Sequence, residues 1–414
     1  MVKFAFKPEE FVVEEIFPDG RVMEVDKPFV AEQGEGKFCH FVMQKRQWNT
    51  SQALNAIARA LHTSHKRFNC AGTKDRNATT VQLCSAFSIA PQKLMAVNVK
   101  DIKVLGAWNA PEKVRMGELL GNRFTITLNK KNCGVKVNAS QVEEKAEKLG
   151  YCIPNYFGEQ RFGSLRLNTH LVGKLLLKGL YKEAVLNFLS YTDEREKGEG
   201  RKAREKLASE GDFAKALEYF PSYLKYERTV LAHLSQHKND FVGALRKLPR
   251  PTLLMFIHAY QSFLFNSLLQ RRTNEGKLFT PVVGDWWCEA DENNFPLLKE
   301  ENRMEKKKPK KICSTTEAKK VQKLVKERKA FLLGNLVGSE SELTDEEQKL
   351  LEEEGVTQNE FVLKSLPELS SKGAFRPLFV PLKDFQILSR NPLKLRFSLP
   401  AGSYATVALK ELLS

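Results

Sequence analysis

The chain has 414 residues, 42% of them hydrophobic, with a formal net charge of +16 and a pI near 9.4. That is material for two or three packed cores, and its charge favours a polyanionic partner, nucleic acid ahead of an acidic membrane surface. Seven cysteines, an odd number with no C-x-x-C spacing, argue against a zinc ribbon or a disulfide framework and for a reducing compartment.

No signal-peptide core follows Met1 and no run of 18 apolar residues occurs, so a cytoplasmic chain with no membrane partner is expected. "FVVEEI" (11–16) reads as a strand, and a Gly-containing turn leads to a second strand before Asn49. Thr50 or Asn49 can cap a helix that puts Leu54, Ile57 and Leu61 on one face. "NRFTITLNKK" alternates, with Phe124, Ile126 and Leu128 on one side of a strand. A helix over 140–149 follows, with Ser140 and Glu143 spaced for a capping box and Gly150 as its stop.

From about 164 to 374 helical patterns dominate. Within them lies a basic stretch, Arg303 to Lys329, with 12 Lys or Arg against three Glu. Its "EKKKPKK" reads as a solvated or phosphate-tracking patch, with a nuclear-localisation run as the alternative. Strand character returns in "PLKLRFSLP", where Leu393, Leu395, Phe397 and Leu399 oppose Lys394, Arg396 and Ser398. "AGSYATVALKELL" closes the chain as a turn and a helix. Strands at both ends with helices between give an α+β class, one discontinuous domain carrying an insertion.

Four segments mix aromatics with glycine or polar groups: "PEEFVVEEI" (8–16), "AGTKDRNATTVQ" (71–82), "NYFGEQRFG" (155–163) and "FSLPAGSYAT" (397–406). No Walker A, G-x-G-x-x-G, H-E-x-x-H or G-x-S-x-G pattern occurs. If the segment after Gly72 is extended, Lys74 and Asp75 point to opposite faces, and the Asp can face a cavity alone. Such a carboxylate can be a nucleophile or a base at a sugar carbon, or merely a turn Asp bonding its own backbone. One carboxylate suffices if the leaving group is a uracil anion, whereas glycoside hydrolysis needs two. Asn155 offers a base edge donors and an acceptor, and Phe157 offers a stacking face; as core residues they would do neither. Arg161 can pair with a phosphate or a buried carboxylate. The seven histidines form no metal-ligand set, and His233 and His237, four apart, have no acidic partner in sight.

"AGTKDRNATTVQ", "NYFGEQRFG", "HAYQSFLFN" and "FSLPAGSYATVALKEL" together resemble the TruD family of pseudouridine synthases, and "PEEFVVEEI" fits its opening segment. "LPRPTLLMFIHAYQS" and "LEEEGVTQNEF" resemble its archaeal and eukaryotic branch. The resemblance implies isomerisation of uridine to pseudouridine in RNA without cofactor, metal or guide RNA. It places the catalytic aspartate at Asp75, with Lys74 and Arg161 in support, and substrate contacts at Phe11, Asn155, Phe157 and Tyr404. Ala5 stands where some bacterial members have a lysine, so that role is unassigned. The implied fold is a pseudouridine-synthase catalytic domain with a mixed, mainly antiparallel sheet, interrupted by a largely helical α/β TRUD domain. The expected boundaries are 1–163 and 375–414 for the catalytic domain and 164–374 for the insertion. The implied partner is tRNA, with uridine 13 the usual family target and other RNAs open; a monomer is expected. A non-catalytic RNA-binding or chaperone protein on the same fold is the alternative.

Overall fold

The computed structural model describes residues 4–135, 137–298 and 308–414. The chain divides into two compact units: Met1–Ile153 with Ala290–Pro296 and Val380–Ser414, and Pro154–Glu289 with Leu297–Phe379. The expected boundaries therefore move. Residues 155–163 go with the second unit, because Asn155 bonds through its N–H to Leu378 (2.9 Å) and through its side chain to Pro377 (3.0 Å). Residues 290–296 return to the first, where Phe295 is buried with Ile16 and Leu120.

The first unit is built on β1 (Phe11–Ile16), β2 (Phe38–Arg46), β3 (Phe68–Cys70), β4 (Thr79–Phe87), β5 (Ile102–Ala110) and β6 (Gly121–Leu128), joined by strands Lys383–Arg390 and Leu393–Pro400. Among the described residues the order is Lys383–Arg390, Leu393–Pro400, β6, β1, β4, β2, β5, with β3 also on β4. Every pairing is antiparallel except β1 with β4. The alternation in β6 and Leu393–Pro400 works as expected: Phe124, Ile126, Leu128, Leu393, Leu395, Phe397 and Leu399 share one buried cluster with helices Ala139–Lys148 and Ala405–Leu413. Ser398 departs from it, being buried on the opposite face.

The helix α1 (Thr50–Ala60) is capped by Asn49, whose side chain accepts from the Gln52 N–H, and it covers a second apolar cluster on β2, β3 and β4. The helix expected at 140–149 begins one residue early, at Ala139, and Asn138 caps it by accepting from the Ser140 N–H (2.9 Å). The Ser140–Glu143 box therefore does not form, and Glu143 pairs with Arg390 instead (2.9 Å). Gly150, at φ 58°, stops the helix as its spacing suggests.

The second unit is mostly helical, around a core in which Arg250–Asn274 is the longest helix. By length and composition that helix could cross a membrane, yet most of it is buried in its own unit, including Leu253, Phe256, Ile257 and Tyr260. A four-stranded sheet, ordered Ala374–Pro377, Ala330–Leu336, Trp286–Glu289, Lys310–Lys311, completes it. Part of "EKKKPKK" lies outside the described residues; in the rest, Lys310 pairs with Glu289 (2.7 Å) and Lys311 with Glu342 (2.6 Å). The patch is thus partly neutralised rather than a bare run of charge.

Candidate active site

In the first unit the two apolar clusters share one face of the sheet, and a polar seam runs where they meet. Val13 is in register with Thr80, and Thr80 with Lys45. Glu15, Lys45, Thr80 and Gln82 are each 0% exposed. Buried polar groups in the middle of a sheet cost free energy unless they are bonded, so this seam is where a site is expected.

The segment 72–75 is tied to the seam by hydrogen bonds with Lys45, Thr50 and Gln82. Gly72 has no left-handed φ, and a Cβ there would lie 3.3 Å from the Lys74 ammonium. Several backbone groups of the segment have side-chain partners. Gln82 donates to the Gly72 carbonyl (2.8 Å), and Thr50 Oγ1 accepts from the Lys74 N–H (2.9 Å) and donates to Gln82 (3.0 Å). Lys45 Nζ donates to the carbonyls of Asp75 (2.9 Å), Lys74 (3.4 Å) and Trp48 (2.6 Å).

The alternation expected of Lys74 and Asp75 is what the structure has. Lys74 turns inward and pairs with the buried Glu15. Burial pushes the Glu15 carboxyl above the ordinary carboxylate range, against the pull of Lys74 and the Leu83 N–H. Asp75 points outward, is exposed, and its carboxylate makes no hydrogen bond or ion pair among the described residues. Thr73, two residues back and so on the Asp75 side of the segment, borders a cavity of about 590 Å³ whose rim includes His65, Asn69, Lys113, Arg115 and Met116.

Phe11 is 5% exposed; its ring stacks on Phe6 at 5.0 Å and leans on Phe124 at 6.1 Å. It is a core residue, with almost no ring face left for a base, because β1 alternation points it into the apolar cluster. Tyr404 is half-buried and sits at the N-cap of Ala405–Leu413, behind Gly402 at φ 79°.

In the second unit, Asn155 and Phe157 are brought together by Arg376, which the sequence reading did not single out. Arg376 donates to Asn155 Oδ1 (2.8 Å) and to its carbonyl (3.0 Å), while its guanidinium lies 4.0 Å from the Phe157 ring centroid. The Phe157 N–H and carbonyl both bond the Asn266 side chain (2.9 and 3.0 Å). Arg161 donates to Ser262 (3.1 Å) and lies 5.4 Å from the Phe157 ring. Asn155 is 3% exposed and Phe157 9%. Asn266 closes the quoted "HAYQSFLFN", so its signal was present in the sequence; Arg376 carries no local pattern and is visible only through its partners.

His233 does have an acidic partner: Asp240 at 2.8 Å, the residue that caps the next helix. The sequence missed it because the bond runs seven residues along the chain, from inside one helix to the cap of the next. Among the described residues no group of three or more His, Cys, Asp or Glu is placed to hold a metal ion.

An outward carboxylate thus stands on a hydrogen-bonded loop above a mixed sheet. Comparison with known proteins names the class. The family profile described as "tRNA pseudouridine synthase D (TruD)" matches residues 3–412. A Methanopyrus kandleri protein named "Probable tRNA pseudouridine synthase D" is 35% identical over 92% of this chain and 86% of its own. An Archaeoglobus fulgidus protein of the same name is 35% identical over 98% and 93%. The crystal structure of the TruD protein of Methanosarcina mazei matches with a TM-score of 0.77 at 32% identity, covering 100% of this chain and 93% of that one. The chain belongs to the TruD family of pseudouridine synthases.

Proposed function

We propose that this protein isomerises uridine to pseudouridine in tRNA, with Asp75 as the acting carboxylate. The observation that carries the assignment is the contrast within one dipeptide: Lys74 is neutralised by Glu15, whereas Asp75 faces outward with no partner among the described residues. The relatives' shared name supplies the substrate class.

In this reading the uridine leaves its stack, at a cost of a few kcal/mol. Asp75 attacks C1′ or takes a ribose proton, and the N1–C1′ bond breaks with its electron pair on uracil. The uracil turns and C5 bonds to C1′ as the Asp75–C1′ bond breaks or, in the base route, as Asp75 returns the ribose proton; C5 then gives up its proton while N1 takes one. The net change is an isomerisation that consumes nothing, and in this reading neither a cofactor nor a guide RNA takes part, as the family resemblance implies. The Thr73 cavity, with Lys113 and Arg115 on its rim, takes RNA next to the modified nucleotide. In the second unit, Asn155 and Phe157 contact substrate RNA, and Arg161 assists them.

Asp75→Asn is the test. It is expected to abolish tritium release from [5-³H]uridine-labelled tRNA transcript, with nothing added but buffer, while leaving tRNA binding within about twofold of wild type. Undiminished turnover in the variant overturns the assignment. A wild-type protein that binds tRNA and releases no tritium from it favours the non-catalytic alternative.

A further inference from the structure

Lys45 is among the largest fully buried side chains of the protein. It has no carboxylate at ion-pair distance among the described residues, and its three ammonium protons meet three backbone carbonyls. Two of those carbonyls belong to Lys74 and Asp75. Its cross-strand neighbour Thr80 is also fully buried, and the Thr80 hydroxyl has no hydrogen-bond partner among the described residues. For stability alone this is a poor arrangement: a buried charge without a counter-ion is expensive, and an apolar side chain of similar volume is often neutral or better.

What the arrangement does provide is aim. A cation bonded directly to the Asp75 carboxylate would hold it in place, but would also stabilise its charge and make it a weaker base and nucleophile. Lys45 holds the same residue by its main chain and leaves the carboxylate oxygens uncommitted. Gln82 and Thr50 anchor the other end of the segment at Gly72 and Lys74, so the only large freedom left to Asp75 is its own side-chain torsions.

We propose that Lys45 is a positioning residue for the uridine isomerisation: it fixes the Asp75 backbone through the Lys74 and Asp75 carbonyls, so that the carboxylate meets the ribose already aimed, with neither oxygen held in a direct ion pair. The proposal rests on the reading of Asp75 as the acting carboxylate.

Lys45→Met and Lys45→Gln are measured beside Asp75→Asn, each as the full chain with tRNA transcript. Lys45→Met is expected to lower kcat about ten- to a hundredfold, the scale of a misplacement near 1 Å. Its KM and tRNA affinity stay within about twofold of wild type, and its melting temperature is equal or higher. Lys45→Gln, which keeps two N–H donors, is expected to fall between Lys45→Met and wild type and guards against a Met variant that does not fold. Two results overturn the proposal while leaving Asp75 untouched: wild-type kcat in both variants with Asp75→Asn inactive, or a kcat loss matched by an equal loss of tRNA affinity or thermal stability. Full activity in Asp75→Asn overturns the underlying reading itself, and Lys45 with it.

Discussion

Asp75, Lys74 and Lys45 divide the roles of charge among three neighbouring side chains: one carboxylate is presented, one ammonium is neutralised, and one is spent on carbonyls. The pair Lys74–Glu15 is 6% and 0% exposed, so removing one member strands the other's charge. Glu15→Gln is expected to cost about 3–5 kcal/mol of stability, read as a lower urea midpoint; an unchanged midpoint would mean that water reaches Lys74. Lys45 carries a pH signature. Burial pushes its ammonium down from 10.5 to about 8; Lys74 adds to that, and Asp75 and Cys84 oppose it. Because the folded value lies below the unfolded one, the folded state binds fewer protons between about 8 and 10.5. This group's contribution to stability therefore rises with pH across that window. The rate moves the other way, since neutral Lys45 has only two N–H bonds for three carbonyls. A kcat profile with a falling limb near pH 8 in wild type and none in Lys45→Gln is the expected result; superimposable profiles would remove Lys45 from catalysis. At this scale the sequence showed Asp75 and its opposition to Lys74, through local alternation alone. It concealed Lys45, Thr50 and Gln82, whose partners lie up to 32 residues away, and it could not show how deeply Phe11 is buried, which depends on what packs over β1.

Elements with a clean period were legible: α1, β6, Leu393–Pro400 and the closing helix follow the alternation or the 3.6-residue spacing of their apolar residues. The sheet of the second unit was not, because two of its strands have four residues and another only two, too short to show a period. Helix starts were off by one where two capping residues compete, as at Asn138 and Ser140. Close packing between helices was likewise hidden. Gly173 on Thr169–Leu177 faces Arg250–Asn274, and a Cβ there would fall 2.1 Å from the Phe256 carbonyl oxygen and 3.1 Å from Tyr260 Cβ. Backbone cannot yield as a side-chain end can. Gly173→Ala is expected to destabilise by about 1–3 kcal/mol, measured as a lower melting temperature; an unchanged melt would show that the two helices can separate without loss.

Over the whole molecule, a net charge of +16 implies that tRNA binding releases counterions. Between 50 and 200 mM salt the affinity is expected to fall on the order of a thousandfold, measured by filter binding, and to fall equally for Asp75→Asn; a salt-independent affinity would contradict a phosphate-tracking surface. Charge, the order of the motifs and the α+β class follow from the sequence alone, because composition and short-range periodicity need no partner to be read. Where each unit ends was decided by long-range bonds, such as those tying Asn155 to Pro377 and Leu378. Which polar residues hold the segment that carries Asp75 was decided the same way. A buried side chain is defined by the groups that fold around it, and those come from remote stretches of chain that no local pattern identifies.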